Sequence, residues 1–254
     1  METKSGMQFD AVIPYHEKDS EILPYCIEGV RRNLDGLRNI YIVSKDDPDM
    51  DGVTWIAETR FPFTMEDVGQ IIPYNRRGWY YQQLLKLYVQ EVVPELLDHY
   101  LILDSDVVFI KPVTFFRGTK LLLDYNGINQ EQYDTHMKAV LPHVFENISS
   151  ESGVTDHMMF RKDIMQELKG RVEEIHGESL WKVFLNKIDP AYYNLSGMSE
   201  YNFYFHYVLT LHPELYEMRL LRKCWGEHLY EITQRQDMDF ITFHSWYRTA
   251  SATK

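Results

Sequence analysis

Apolar residues in this chain fall into two kinds of run. Some runs are short and nearly continuous: Phe9-Asp-Ala-Val-Ile-Pro14, Asn39-Ile-Tyr-Ile-Val-Ser44, Val53-Thr-Trp-Ile-Ala57 and Tyr100-Leu-Ile-Leu-Asp-Ser-Asp-Val-Val-Phe-Ile110. Runs of this length, rich in β-branched residues and bounded by polar residues or Pro, predict strands buried on both faces. Other apolar positions recur every three or four residues. Positions 22, 23, 26, 27, 30 and 34 predict a helix over 20–34, with Ser20 placed as its N-cap. Residues 66–72 read as a short helix or irregular piece, and 78–93 as a long amphipathic helix halted by Pro94. Strands alternating with helices predict an α/β domain with a mainly parallel sheet.

The second half is less regular. The pattern predicts a hairpin over 118–129, a strand over 152–160, helices over 161–175 and 179–185, and short strands within 218–225 and 238–243. Residues 199–211 form the clearest helix signal, with Ser199 as N-cap and Glu200 in the first turn. Neither a repeat nor a linker is evident. The expectation is one domain over 1–254, with a regular first half (1–112) and an elaborated second half (113–254).

Composition narrows the classes of partner. The formal charge is -12 with no long basic run, which argues against nucleic-acid binding. The first residues lack an apolar leader core, and no stretch reaches the length of a membrane span. Two cysteines, Cys26 and Cys224, have no metal-ligand spacing and cannot make a disulfide framework. A reducing, cytoplasmic location is expected. Aromatic residues make up 14% of the chain; they suit either a sugar-stacking surface or an aromatic core.

The chemistry concentrates at Asp104-Ser-Asp106. In a continuous strand, side chains two apart share a face, so two carboxylates there would repel each other and resist desolvation. A divalent cation relieves both, and an all-oxygen pair suits Mg²⁺ or Mn²⁺. The same letters also fit a phosphatase of the haloacid-dehalogenase type, with Asp104 as nucleophile and Asp106 as general acid. In that family, however, the motif lies on the first strand, and here three strands precede it. A non-catalytic nucleotide- or glycan-binding module is a further alternative. Residues 47–58 match the spacing of a calcium-binding loop, but strands rather than helices flank them, so they read as an acidic connection.

Several blocks, in order, resemble nucleotide-sugar glycosyltransferases of the GT-A type, in particular the small bacterial and large-DNA-virus polysaccharide enzymes. They are Asp10-Ala-Val-Ile-Pro-Tyr-His16, Gly78-Trp-Tyr-Tyr-Gln-Gln-Leu-Leu-Lys-Leu-Tyr88, the DxD run 100–112, Ser152-Gly-Val-Thr-Asp-His-Met-Met-Phe160, Ser199-Glu-Tyr-Asn202 and Phe243-His-Ser-Trp-Tyr-Arg248. The resemblance implies a Rossmann-like sheet, with a nucleotide-binding half (1–112) and an acceptor-binding half (113–254). It also implies transfer of a monosaccharide from a UDP-sugar to a glycan hydroxyl, with Mn²⁺ or Mg²⁺ as cofactor.

Roles follow from the resemblance. Asp104, Asp106 and His244 would hold the metal. Pro14, Tyr15, His16, Asp19, Arg76, Lys86, Asp104, Ser105 and Arg248 would bind the donor. His157 and Trp246 would meet the acceptor. An inverting mechanism requires a carboxylate base; Glu200 is the first candidate and Asp156 the second.

Overall fold

The computed structural model describes residues 6–72 and 75–248. In chain order the main elements are β1 (Phe9–Pro14), α1 (Leu23–Asn33), β2 (Leu37–Ser44), β3 (Thr54–Ala57), α2 (Met65–Ile71), α3 (Arg77–Val92), β4 (His99–Leu103), β5 (Val107–Phe109), β6 (Phe116–Arg117) and β7 (Lys120–Asp124). They continue with α4 (Glu131–Val140), β8 (His157–Arg161), α5 (Lys162–His176), α6 (Leu180–Asn186), α7 (Glu200–Leu211), β9 (Tyr216–Arg219), β10 (Lys223–Trp225), α8 (Glu231–Gln234) and β11 (Phe240–Thr242).

The central sheet has the order β3-β2-β1-β4-β8. β1 pairs in parallel with both β2 and β4, β2 with β3, and β8 runs antiparallel against β4. This is the mixed α/β architecture, mostly parallel at its centre, that the alternating pattern predicts. Helices cover the sheet, and β1 and β4 are wholly buried apart from the partly exposed His99, as strands covered on both faces must be. Two small sheets lie beside it, β10-β11-β5 and β6-β7-β9.

The predicted strand 100–110 is two strands. β4 belongs to the central sheet and β5 to a small one, and Asp104-Ser-Asp106 is the turn between them. Residues 104 and 106 therefore do not share a strand face. Ser20 does not cap α1; residues 17–19 form a 3-10 turn and the helix begins at Leu23, next to Pro24. α1 packs tightly on β5 because Gly29 has no side chain, and a Cβ there would lie 2.8 Å from the Phe109 carbonyl oxygen. Ser199 does cap α7, its hydroxyl accepting from the Asn202 N–H at 3.2 Å. Residues 47–53 connect β2 to β3 with no helix on either side, as expected of an acidic connection. Among the described residues no helix is long and apolar enough to cross a membrane.

Candidate active site

The strand order reverses between β1 and β4. The chain leaves β1 toward β2 and β3 on one side, whereas β4 lies on the other. In open α/β sheets the crevice at such a reversal, beyond the carboxyl ends of the strands, is where ligands bind. Residues 15–19 follow β1 and residues 104–106 follow β4. Because β8 is antiparallel and His157 pairs with Leu103, Asp156 enters the same crevice. Its carbonyl accepts the Asp104 N–H at 3.0 Å.

Lys86 is the pivot of the cluster. Its Nζ lies 2.5 Å from Asp104 Oδ1 and 2.7 Å from Glu200 Oε1. Both Lys86 and Glu200 are buried, whereas Asp104 keeps a partly exposed side chain. Burial acts against the Lys86 charge, but the two carboxylates outweigh it and keep the ammonium protonated. The ammonium also sits 4.2 Å from the centre of the Tyr201 ring. The side-chain amide of Gln83, one helical turn before Lys86, lies against the Glu200 carboxylate. Sequence reasoning named Lys86 as a donor-binding residue through the resemblance. It missed Gln83 and Tyr201, whose neighbours in the sequence carried the only available signal.

Asp106 occupies the other end of the turn. Its Oδ2 is 3.4 Å from His244 Nδ1, and its Oδ1 is buried with no hydrogen-bond partner among the described residues. Burial lowers the His244 pKa, but the Asp106 contact and the charges of Asp156 and Asp104 raise it overall. Asp156 Oδ2 accepts from Lys223 Nζ at 3.2 Å and Thr242 Oγ1 at 3.0 Å. Against burial, Lys223, His244 and Thr242 together hold its carboxyl below the usual range. Its backbone is left-handed, with φ 66°, a conformation Asp tolerates better than most residues. Lys223 and Thr242 come from β10 and β11; nothing in those short strands signals the contact in advance.

The cluster is anionic. Among the described residues, Lys86 and Lys223 pair with the group Asp104, Asp106, Asp156 and Glu200, an excess of negative charge before His244 is counted. Burial, with the charges of Asp106, Asp156 and Glu200, pushes Asp104 up to about 7 despite the pull of Lys86. Among the described residues, no three His, Cys, Asp or Glu side chains stand together as a finished metal cage. Asp104, Asp106 and His244 share the site without being gathered, because Asp104 turns toward Lys86. The orphaned Asp106 oxygen, the adjacent imidazole and the negative excess still fit a hard divalent cation that takes its remaining ligands from a substrate.

The remaining expected residues divide into near and far. Asp19 is buried beside the turn, where it accepts from Ser105 Oγ at 2.8 Å and pairs with Arg248. Burial and the Asp106 charge raise its pKa. Tyr15 follows the end of β1, its N–H donating to the Val43 carbonyl at 2.8 Å. His16 caps the short turn after it, accepting from the Lys18 N–H at 3.1 Å, and Pro14 is the last residue of β1.

Three expected residues stand apart from the open turn. His157 cannot meet an acceptor, because it is wholly buried, 3.0 Å from Asp124 and ringed by Phe109, Phe115 and Phe240. Arg76 sits at the start of α3, about 15 Å along the helix from Lys86 at 1.5 Å per residue, and donates to Ser196 Oγ at 3.0 Å. Glu200 is the third: it is fully buried and paired with Lys86, whereas Asp156 keeps 8% of its surface exposed.

Residues 32–247 match the model of a family described as a family of unknown function, DUF6492. The chain belongs to this family. Among curated proteins none matches it. Among solved structures, the family member is similar to mouse xyloside xylosyltransferase 1 in its apo form, at 11% identity over 96% of this chain and 99% of that one, with a TM-score of 0.44.

Proposed function

We propose that this protein is a GT-A-type glycosyltransferase that moves a monosaccharide from a UDP-sugar to a glycan hydroxyl with inversion. The observation that carries the reading is the anionic turn 104–106, placed at the reversal point of the sheet with an unpartnered Asp106 oxygen. The ordered sequence blocks around it support the same reading.

Asp106 and His244 would hold Mn²⁺ or Mg²⁺, with Asp104 alongside. Such an ion, when bound, offsets the negative charge of a nucleoside diphosphate. The chain's own residues supply the rest. Lys86, fixed by Glu200, holds Asp104 in place, so Glu200 acts as a positioning residue. Arg248 and Ser105 hold Asp19 at the end of β1, which shapes the nucleoside side of the crevice. Asp156 is the base. Both of its hydrogen bonds fall on Oδ2, which leaves Oδ1 for the acceptor hydroxyl, and its lowered pKa keeps it ionised at neutral pH.

Calorimetric titration with UDP-glucose in the presence of Mn²⁺, followed by assay for UDP release, tests the reading. Metal-dependent binding should vanish in Asp106→Ala. Asp156→Asn should bind donor normally while losing at least about a hundredfold in transfer, the scale of a removed general base. Donor binding that is indifferent to both Mn²⁺ and Asp106→Ala would sink the assignment.

A further inference from the structure

Beside the turn lies an aromatic cluster that the mechanism above does not use. Trp225 ends β10, and Trp246 and Tyr247 follow β11. These rings are 46%, 66% and 42% exposed, respectively. Large aromatic side chains gathered in water are unusual unless something covers them. Other exposed aromatics, such as Tyr25 and Trp55, are not part of this cluster.

The cluster forms a corner. The Trp225 and Trp246 ring centres are 5.0 Å apart at 83°, and Tyr247 meets Trp246 at 5.9 Å and 77°. His244 stacks against Trp246 at 5.2 Å and 16°, so it backs one face of an indole that is still largely exposed. Trp225 also meets the edge of His244 at 5.8 Å, and His244 touches Asp106. The corner thus continues directly from the carboxylate site.

Its chemistry selects a ligand. A pyranose ring has an apolar C–H face and a hydroxylated rim. An exposed aromatic plane takes the face while polar groups beside it take the rim. Walls at right angles suit one ring lying flat on one wall with its edge against the other. The neighbouring excess of carboxylates repels nucleic acids and acidic polysaccharides.

We infer that Trp225, Trp246 and Tyr247 bind a neutral pyranosyl chain, which serves as the acceptor. The inference rests on the glycosyltransferase reading for the word acceptor; the binding itself does not depend on it.

Calorimetry with cellotetraose, xylotetraose, maltotetraose and chitotetraose provides the test. At least one should bind, and its affinity should fall about tenfold or more in Trp225→Ala and in Trp246→Ala, the scale of one lost stacking contact. Trp225→Phe, which keeps a ring, should stay within about threefold. Both positions are exposed, so unchanged melting curves would show that the variants are folded. Binding of none of the four sugars, or equal affinity in the alanine variants, overturns the corner. So does UMP binding that depends on Trp225 while the sugars ignore it. The two readings fail separately. Tetrasaccharide binding without Mn²⁺-dependent UDP-glucose binding rejects the transferase and keeps the corner; the reverse pattern rejects the corner alone.

Discussion

Two buried polar clusters flank the β4–β8 pair, and they solve the same problem differently. In one, Asp124 accepts from Arg219 through both carboxylate oxygens at 2.7 Å and from His157 at 3.0 Å. Both Asp124 oxygens are partnered, although His157 Nδ1 is itself buried without a partner among the described residues, and these partners hold Asp124 below the usual carboxylate range against burial. In the other, Lys86 serves two carboxylates while Asp106 keeps an oxygen unpartnered, and Asp104 is driven up to about 7. A carboxylate with both oxygens partnered ties β7 and β9 to the core. An oversupplied cluster at a crevice stores unmet demand for a cation, a pattern typical of functional sites.

The sharpest way to break this contrast is to remove the cations. Arg219→Ala leaves Asp124 buried without its main partner and should cost about 3–5 kcal/mol in urea unfolding. Lys86→Met should cost a similar amount, because Glu200 is stranded. The double variant Lys86→Met, Glu200→Gln should recover most of that loss yet bind no donor. Full stability in Arg219→Ala would mean that the Asp124 cluster is not structural.

The pH response should run in opposite senses at the two sites. Asp104 has a raised pKa in the folded state, so its favourable contribution is present below about pH 4 and is lost as pH rises through about 7. Wild type should therefore lose ground to Asp104→Asn across that window. Asp124 is the mirror case: its contribution is present above about pH 4 and is lost as pH falls toward its depressed pKa. Asp124→Asn should accordingly be most harmful at neutral pH. Parallel stability curves for the two variants would erase the distinction.

The smallest effect concerns the element that delivers Glu200. Ser199→Ala removes the N-cap of α7 and should lower stability by about 1 kcal/mol, visible as a shift of the urea midpoint without a change in slope. A larger loss, with weakened donor binding, would show that the helix start also sets the Lys86 position.

Local chemistry was legible where it acts locally. Phe9–Pro14 is found at its predicted bounds because a continuous apolar run ends at a proline. The Ser199 cap could be read from the residue type and the helix that follows. The break between β4 and β5 could not, since no Gly or Pro marks it; only pairing of β5 with β11, far along the chain, turns the strand aside. α4 escaped notice because Gln130 provides no capping side chain and a hairpin precedes it. Of the site, the carboxylate pair and Asp19 were visible. Lys86 was named too, but its burial against Glu200 was not foreseen, because that partner lies 114 residues away. His157 looked available because its loop-like setting hides the fact that β8 begins there.

The seam between the two sheets has a mechanical consequence. The Asp104 backbone is tied to the central sheet through the Asp156 carbonyl, whereas the Asp106 carbonyl accepts from the Phe243 N–H at 2.8 Å, just past β11 in the small sheet. The two carboxylates are thus bolted to different plates. Any slip of one plate against the other becomes a change in their spacing, so a cation bridging them would act as a clamp that locks the plates in register.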